Sequence, residues 1–116
     1  MSASARGIAR ERAVRRLLEA DGWWCSRAAG SLGDADVIAL KLRPEGGSTA
    51  LLVECKSTAA GPFHSFGPAQ RAELIAAAVK TGATPWLCWW GPRRKPQWIA
   101  VSEWPVTPTT NEGATP

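Results

Sequence analysis

The sequence predicts an α/β fold, in which a central mixed sheet is flanked by two helices. Three observations carry that expectation. Apolar residues recur at helical spacing over residues 4–21 and again after Pro68. Between those stretches lie two apolar runs, Val37-Ile38-Ala39-Leu40 and Ala50-Leu51-Leu52-Val53, separated by the turn-rich Arg43-Pro44-Glu45-Gly46-Gly47-Ser48, which suits a hairpin. Two tryptophan-bearing runs follow the second helical stretch and read as further strands. The 116 residues are the usual size of one core, and an apolar content of 45% is enough to pack it. Residues 1–104 are expected to form that domain, and 105–116, rich in proline and threonine, to be a disordered tail.

The first helix, residues 4–21, is built on Val14, Leu17 and Leu18, with Ile8 at the edge of the stripe and Gly22 as its stop signal. Glu11 stands three residues before Val14 and falls on or beside that apolar face. A carboxylate facing a core is unfavourable unless something pairs with it. Either an arginine one turn on, such as Arg15, holds it at the surface, or it reaches a metal site, which is the reading adopted here. Arg6, Arg10, Arg12, Arg15 and Arg16 spread around the same helix. A solvated face explains some of them. Their number, and the bidentate fit of a guanidinium to phosphate, favour a phosphate-contacting patch that includes Arg6 and Arg10.

Trp23-Trp24-Cys25-Ser26-Arg27 reads as the first strand, and Ala28 to Gly33 as a loop of small residues. Such a loop can close over a backbone phosphate with Arg27 and Ser31 as its polar contacts, or Ser31 is an ordinary turn residue.

The hairpin carries the chemistry. Asp36 precedes its first apolar run, and Glu54-Cys55-Lys56 ends the second; buried strands should not carry charges without a use for them. With the turn centred near Glu45 and Gly46, Asp36 lands beside Glu54 or Cys55. Side chains alternate along a strand, so Glu54 and Lys56 share one face and Cys55 takes the other. Two carboxylates and an ammonium then meet at one sheet edge, the outline of a metal-dependent hydrolase. A divalent cation stabilises the extra charge of phosphodiester hydrolysis and lowers the pKa of its bound water. Mg²⁺ takes oxygen ligands and keeps several waters, so two carboxylates and a backbone carbonyl suffice. Lys56 would orient the attacking water or accept its proton. The competing reading is a solvated edge pair beside an Asp that caps a loop. Asp34 rivals Asp36 for the metal role; Asp36 is favoured because the apolar strand starts directly after it.

Beyond Lys56, residues 57–67 form a loop that includes His64, the one histidine of the chain, read as a plain loop residue. Pro68 suits the first turn of a helix running to about Lys80 and ended by Gly82. Gln70, Leu74 and Ala78 share one of its faces, so Gln70 either hydrogen-bonds within the site or satisfies a helix end. Pro85 to Trp90 and Gln97 to Val101 are the last strands. Trp86, Trp89, Trp90 and Trp98 read as core or subunit-interface material, and their area predicts an exposed apolar patch there. Cys25, Cys55 and Cys88 lack metal-ligand spacing and read as buried thiols of a reducing cytoplasm. A net charge of +4 and a pI of about 9.4 fit a polyanionic partner. No apolar run of about 18 residues predicts a membrane span, and the first residues lack the apolar region of a secretory signal.

The order of these elements, with Arg6-Gly7-Ile8-Ala9-Arg10-Glu11-Arg12, Arg27-Ala28-Ala29-Gly30-Ser31, Asp36-Val37-Ile38-Ala39-Leu40-Lys41 and Val53-Glu54-Cys55-Lys56, strongly resembles the PD-(D/E)XK nuclease superfamily. Within it the resemblance is to the archaeal-type (Hjc-like) Holliday junction resolvases, some of them phage encoded, and it runs from about Arg6 to Val101. It implies a restriction-endonuclease-like fold with Glu11, Asp36, Glu54 and Lys56 as catalytic residues. It further implies Mg²⁺, replaceable by Mn²⁺, on Glu11, Asp36, Glu54 and the Cys55 carbonyl, with Ser31 and Gln70 near the scissile phosphate. One departure is Ala35 before Asp36, where the motif has Pro. The resemblance implies a homodimer acting in the cytoplasm, or in a host's cytoplasm, that nicks two opposed strands of a four-way junction and leaves 5′-phosphates. The rivals are a nicking or restriction/repair-type endonuclease on duplex DNA and a catalytically dead DNA-binding module. The complete Glu11, Asp36, Glu54 and Lys56 set argues against the last.

Overall fold

Val14 and Leu18, one helical turn apart and both buried, dock helix α1 (Ala3–Ala20) on a sheet whose inward residues are Val37, Ala39, Leu51 and Val53. The structure, a computed structural model, describes residues 3–28, 35–62, 64, 66–91, 95–101 and 116, the side chains of residues 3–6 aside. Leu17 lies outside the buried stripe, at 44% exposure, because it falls one residue short of the position that faces the sheet. Gly22 ends the helix with φ at +92°, a left-handed turn that glycine makes without strain, and Trp23 N–H closes it by donating to the Leu18 carbonyl at 3.0 Å.

The remaining elements are β1 (Trp24–Arg27), β2 (Val37–Leu42), β3 (Ser48–Ser57), α2 (Pro68–Thr81), β4 (Thr84–Trp90) and β5 (Pro96–Ala100). The five strands lie in chain order. All neighbours are antiparallel except β3 and β4, whose parallel pairing requires the crossover that α2 provides. This is the expected α/β arrangement, a mixed sheet flanked by two helices. The β2–β3 hairpin turns through Gly46 and Gly47, both at positive φ (+100° and +76°). Its register pairs Val37 with Val53, so the next step sets Asp36 opposite Glu54, the first of the two partners the sequence allowed.

Each helix covers one face of the sheet. The α1 face is filled by Val14, Leu18, Trp23, Trp86, Cys88 and Trp90, and the α2 face by Leu52, Phe66, Leu74, Leu87 and Ile99. All three cysteines are free and lie in β1, β3 and β4. His64 is an exposed loop residue.

One expectation needs correction. The tryptophan-rich strands do not present an apolar patch: Trp86 and Trp90 are buried beneath α1, Trp98 packs edge-on against Trp86 at 6.4 Å, and Trp89 is half-buried with its indole N–H on the Thr58 carbonyl at 2.8 Å. The exposed large apolar residues instead include Trp24 (61%), its cross-strand partner Leu40, and Leu42 (78%), because among the described residues α2 packs on β3 and β4, and its cluster reaches β2 only at Ile38. Gln70 is exposed in the first turn of α2, and the buried polar position of that helix among the described residues is its neighbour Arg71. Ser31, Asp34, the boundary at 104 and the tail up to residue 115 lie outside the described residues, as does the side chain of Arg6. No helix among the described residues is long and apolar enough to cross a membrane.

Candidate active site

Backbone bonding brings the first carboxylate into place. Asp36 stands one residue before β2, where its N–H donates to the Val53 carbonyl at 2.8 Å and its own carbonyl accepts from Ala28 N–H at 2.9 Å. With its main chain held between β1 and β3, its side chain turns onto β3, and Oδ2 accepts a hydrogen bond from the Cys55 N–H at 2.7 Å. Its carboxyl group also hydrogen-bonds the Glu54 side chain opposite. Lys56, two residues on and on the same face, places Nζ 3.5 Å from Glu54 Oε1. Asp36, Glu54 and Lys56 are therefore brought together as the alternation and the hairpin register predict.

This cluster is electrostatically unbalanced. Burial pushes the Glu54 carboxyl up to about 8 from an ordinary 4.5; the Asp36 charge adds to the shift, and Lys56 only partly offsets it. Two carboxylates in one desolvated pocket cannot both ionise at neutral pH without added positive charge, so the pair either keeps a proton or takes a cation. A donor set of two carboxylate side chains beside a strand carbonyl has the oxygen chemistry of a hard divalent ion. Among the described residues no group of three or more His, Cys, Asp or Glu side chains gathers as a ready metal cage.

Glu11 is on the opposite face. It reaches that end of the sheet from α1 and is taken by Arg27 of β1 in an ion pair that is also a hydrogen bond from Nε. Arg27 was expected at the DNA and Arg15 was the arginine considered for Glu11, so this pairing was not anticipated from the sequence. The signal was present in strand alternation: Arg27 shares a face with Cys25, which packs on the α1 core. Cys55, between the two halves, is also on the α1 face, and burial pushes its thiol well up, with the nearby Asp36, Glu54 and Glu11 charges adding to that. Such a thiol is a packed apolar group and not a nucleophile.

Arg10 supplies a further cation. Its guanidinium lies over the Trp90 ring, 4.6 Å from the centroid, and Trp90 is the residue of β4 whose carbonyl receives the Thr58 N–H just beyond β3. Arg10, Arg27 and Lys56 thus concentrate positive charge at the sheet end that carries Asp36 and Glu54. Arg12 and Arg16 are exposed, which fits the solvated part of the helix. Gln70 makes no contact with the carboxylate pair among the described hydrogen bonds.

Comparison with known proteins gives three findings. The family model described as archaeal Holliday junction resolvase (Hjc) matches residues 2–110. The solved structure of Archaeoglobus fulgidus Hjc, described as a Holliday junction resolvase from an archaeal hyperthermophile, superposes with a TM-score of 0.69 at 24% identity, over 83% of this chain and 73% of that one. A UPF0102 protein of Granulibacter bethesdensis is 37% identical over 78 residues, which are 66% of this chain and 48% of that protein. The chain spans about half the length of that curated relative.

Proposed function

The chain belongs to the archaeal Holliday junction resolvase (Hjc) family, and from that premise we propose that it is a structure-selective, metal-dependent endonuclease that resolves four-way DNA junctions. The observation that carries the reading is the Asp36–Glu54 pair with Lys56 at 3.5 Å. A binding module would place cations, not two desolvated carboxylates, beside phosphate.

Asp36, Glu54 and the Cys55 carbonyl would hold a divalent cation, Mg²⁺ with Mn²⁺ as a substitute, and Glu11 would join them. That cation would supply Lewis acidity and a bound water of lowered pKa. The chain's own groups do the rest. The Cys55 N–H fixes the rotamer of Asp36, so that one carboxylate oxygen is committed to the backbone and the other is left for the site. Lys56, anchored on Glu54, orients the attacking water against the scissile phosphorus. Arg10 and Arg27 hold the flanking phosphates, with Arg6, Ser31 and Gln70 assigned to the same surface. Hydrolysis would leave 5′-phosphates. Resolution requires two cuts on opposed strands, and a two-fold homodimer supplies the second site by symmetry. Three free thiols suit a reducing cytoplasm, whether the cell's own or a host's.

The test is a gel assay of one protein on three substrates with Mg²⁺: a four-way junction, a nicked duplex and a plain duplex of the same sequence. Paired, symmetric cuts in the junction with little cleavage of the duplexes are expected. Equal cleavage of all three would replace the resolvase by a duplex nuclease, and no cleavage of any would remove the enzymatic reading.

A further inference from the structure

We propose that the Arg27–Glu11 ion pair is a substrate-released latch: a DNA phosphate draws Arg27 away, and only then does Glu11 become available as a third carboxylate to the Asp36–Glu54 site. The inference rests on the nuclease reading above and adds a regulation to it. Three observations support it. Glu11 is nearly enclosed, with its side chain 14% exposed, and Arg27 is its one ion-pair partner among the described residues. Arg27 itself is 39% exposed, so an anion in solution can reach the guanidinium that holds Glu11. Arg27 pairs across the strands with Val37, the residue after Asp36, and the next residue, Ala28, donates its N–H to the Asp36 carbonyl at 2.9 Å, so the guanidinium that holds Glu11 stands at the end of the sheet where Asp36 lies. The latched carboxylate is therefore a neighbour of the site and not yet a member of it.

The chemistry favours exchange. A guanidinium pairs with phosphate as readily as with carboxylate, so replacing one by the other is close to balanced for Arg27. For Glu11 the exchange is not balanced. Once released, it is a desolvated anion that a nearby cation stabilises. DNA binding and metal binding are then coupled, and each tightens the other by the same factor. Without DNA, the third carboxylate is neutralised and the site binds metal weakly, which suppresses unguided hydrolysis. A structural tie between α1 and β1 would give a stability loss on removing Arg27 but no change at the metal.

Mn²⁺ binding to the full chain without DNA, followed by the EPR signal of free Mn²⁺, tests the latch. Arg27→Met is expected to bind Mn²⁺ roughly fivefold or more tightly than the wild type. Glu11→Gln alone should change little, and the gain should vanish in the Glu11→Gln, Arg27→Met double variant. An equal gain in both backgrounds would assign the effect to the lost arginine charge and overturn the latch, as would no gain. Should Arg27→Met fail to fold, Arg27→Lys carries the same comparison with a smaller gain. A second readout is the Arg27 Nε–H resonance in EDTA, expected to shift when junction DNA saturates the protein; an unmoved resonance means the pair persists and the proposal is wrong. A wild type that binds no Mn²⁺ overturns both the latch and the nuclease reading. Mn²⁺ binding that Asp36→Asn abolishes and Arg27→Met leaves unchanged overturns the latch alone.

Discussion

Glu11 and Glu54 sit at the same end of one sheet, on opposite faces, with side chains 14% and 15% exposed. Burial does not distinguish them, but their neighbours do. Glu11 has a guanidinium and is a satisfied ion pair. Glu54 has another carboxylate and an ammonium at 3.5 Å, a set that remains one charge short of neutral and retains a proton up to about 8. The lesson is that a largely buried carboxylate marks a site ready for a cation when its nearest partner has the wrong sign, and one held in reserve by its partner when that partner has the right sign.

The largest effect should separate the two faces outright. Asp36→Asn or Glu54→Gln is expected to reduce junction cleavage by roughly 10³-fold or more, while leaving junction binding intact or tighter, because the variants also remove repulsion against phosphate. Glu11→Gln should cost less, on the order of 10- to 100-fold, the range for groups that support a metal site. Cleavage and gel-shift assays on one junction check all three. A Glu11 variant as inactive as the Glu54 variant would mean that the released Glu11 is as indispensable to the site as Glu54 itself, and near wild-type cutting by Asp36→Asn would dissolve the assigned centre.

A second difference is thermodynamic. Glu54 titrates near 8 in the folded chain and near 4.5 when exposed. Between those values the folded state binds a proton that the unfolded state has lost. The associated stability is therefore fully present below the ordinary carboxylate range and disappears as pH rises through about 8. The slope is at most about 1.4 kcal/mol per pH unit. Urea unfolding of metal-free protein across that window should show it, and Glu54→Gln should flatten it while Glu11→Gln leaves it. A slope unchanged in Glu54→Gln would place the proton elsewhere. Because metal must displace the same proton, Mn²⁺ binding should also tighten as pH rises over that window.

Much of this comparison was legible in the sequence. Strand alternation put Glu54 and Lys56 on one face, and the glycines of the turn fixed a register that brings Asp36 to Glu54. These are short-range rules: a period of two and a loop length decide them. The Glu11 partner was harder to read. Helical periodicity identified Glu11 as lying beside the apolar face, but its partner comes from a strand 16 residues away, which depends on how α1 crosses the sheet. The tryptophans were misjudged for a related reason. Their area suggested an uncovered patch on β4 and β5, whereas Trp86 and Trp90 are buried on the face that α1 covers, and the exposed large apolar residues among those described include Trp24, Leu40 and Leu42. Which face of a sheet a helix covers is a tertiary choice that residue counts do not encode.

The smallest expected effect concerns the arginines of α1 and asks whether the Glu54 end of the sheet is where DNA lies. Arg10 is pinned over Trp90 at 4.6 Å, which commits its charge to that end, whereas Arg16 is exposed two turns further along the helix. A guanidinium held by an aromatic ring loses less freedom on meeting a phosphate than one moving in solvent, so the pinned arginine is the better contact. Each phosphate contact contributes about 0.9 to the slope of log affinity against log salt on duplex DNA. Arg10→Gln should therefore flatten the slope measured on a four-way junction by about that amount, for every junction sequence alike, and Arg16→Gln should leave it within error. Trp90→Leu, which removes the ring and keeps the arginine, should fall between the two if folding is retained in a thermal melt. Equal slopes for Arg10→Gln and Arg16→Gln would mean that the helix acts as a diffuse basic surface. The pinned contact would then be packing, and the comparison between the two ends of α1 would fail.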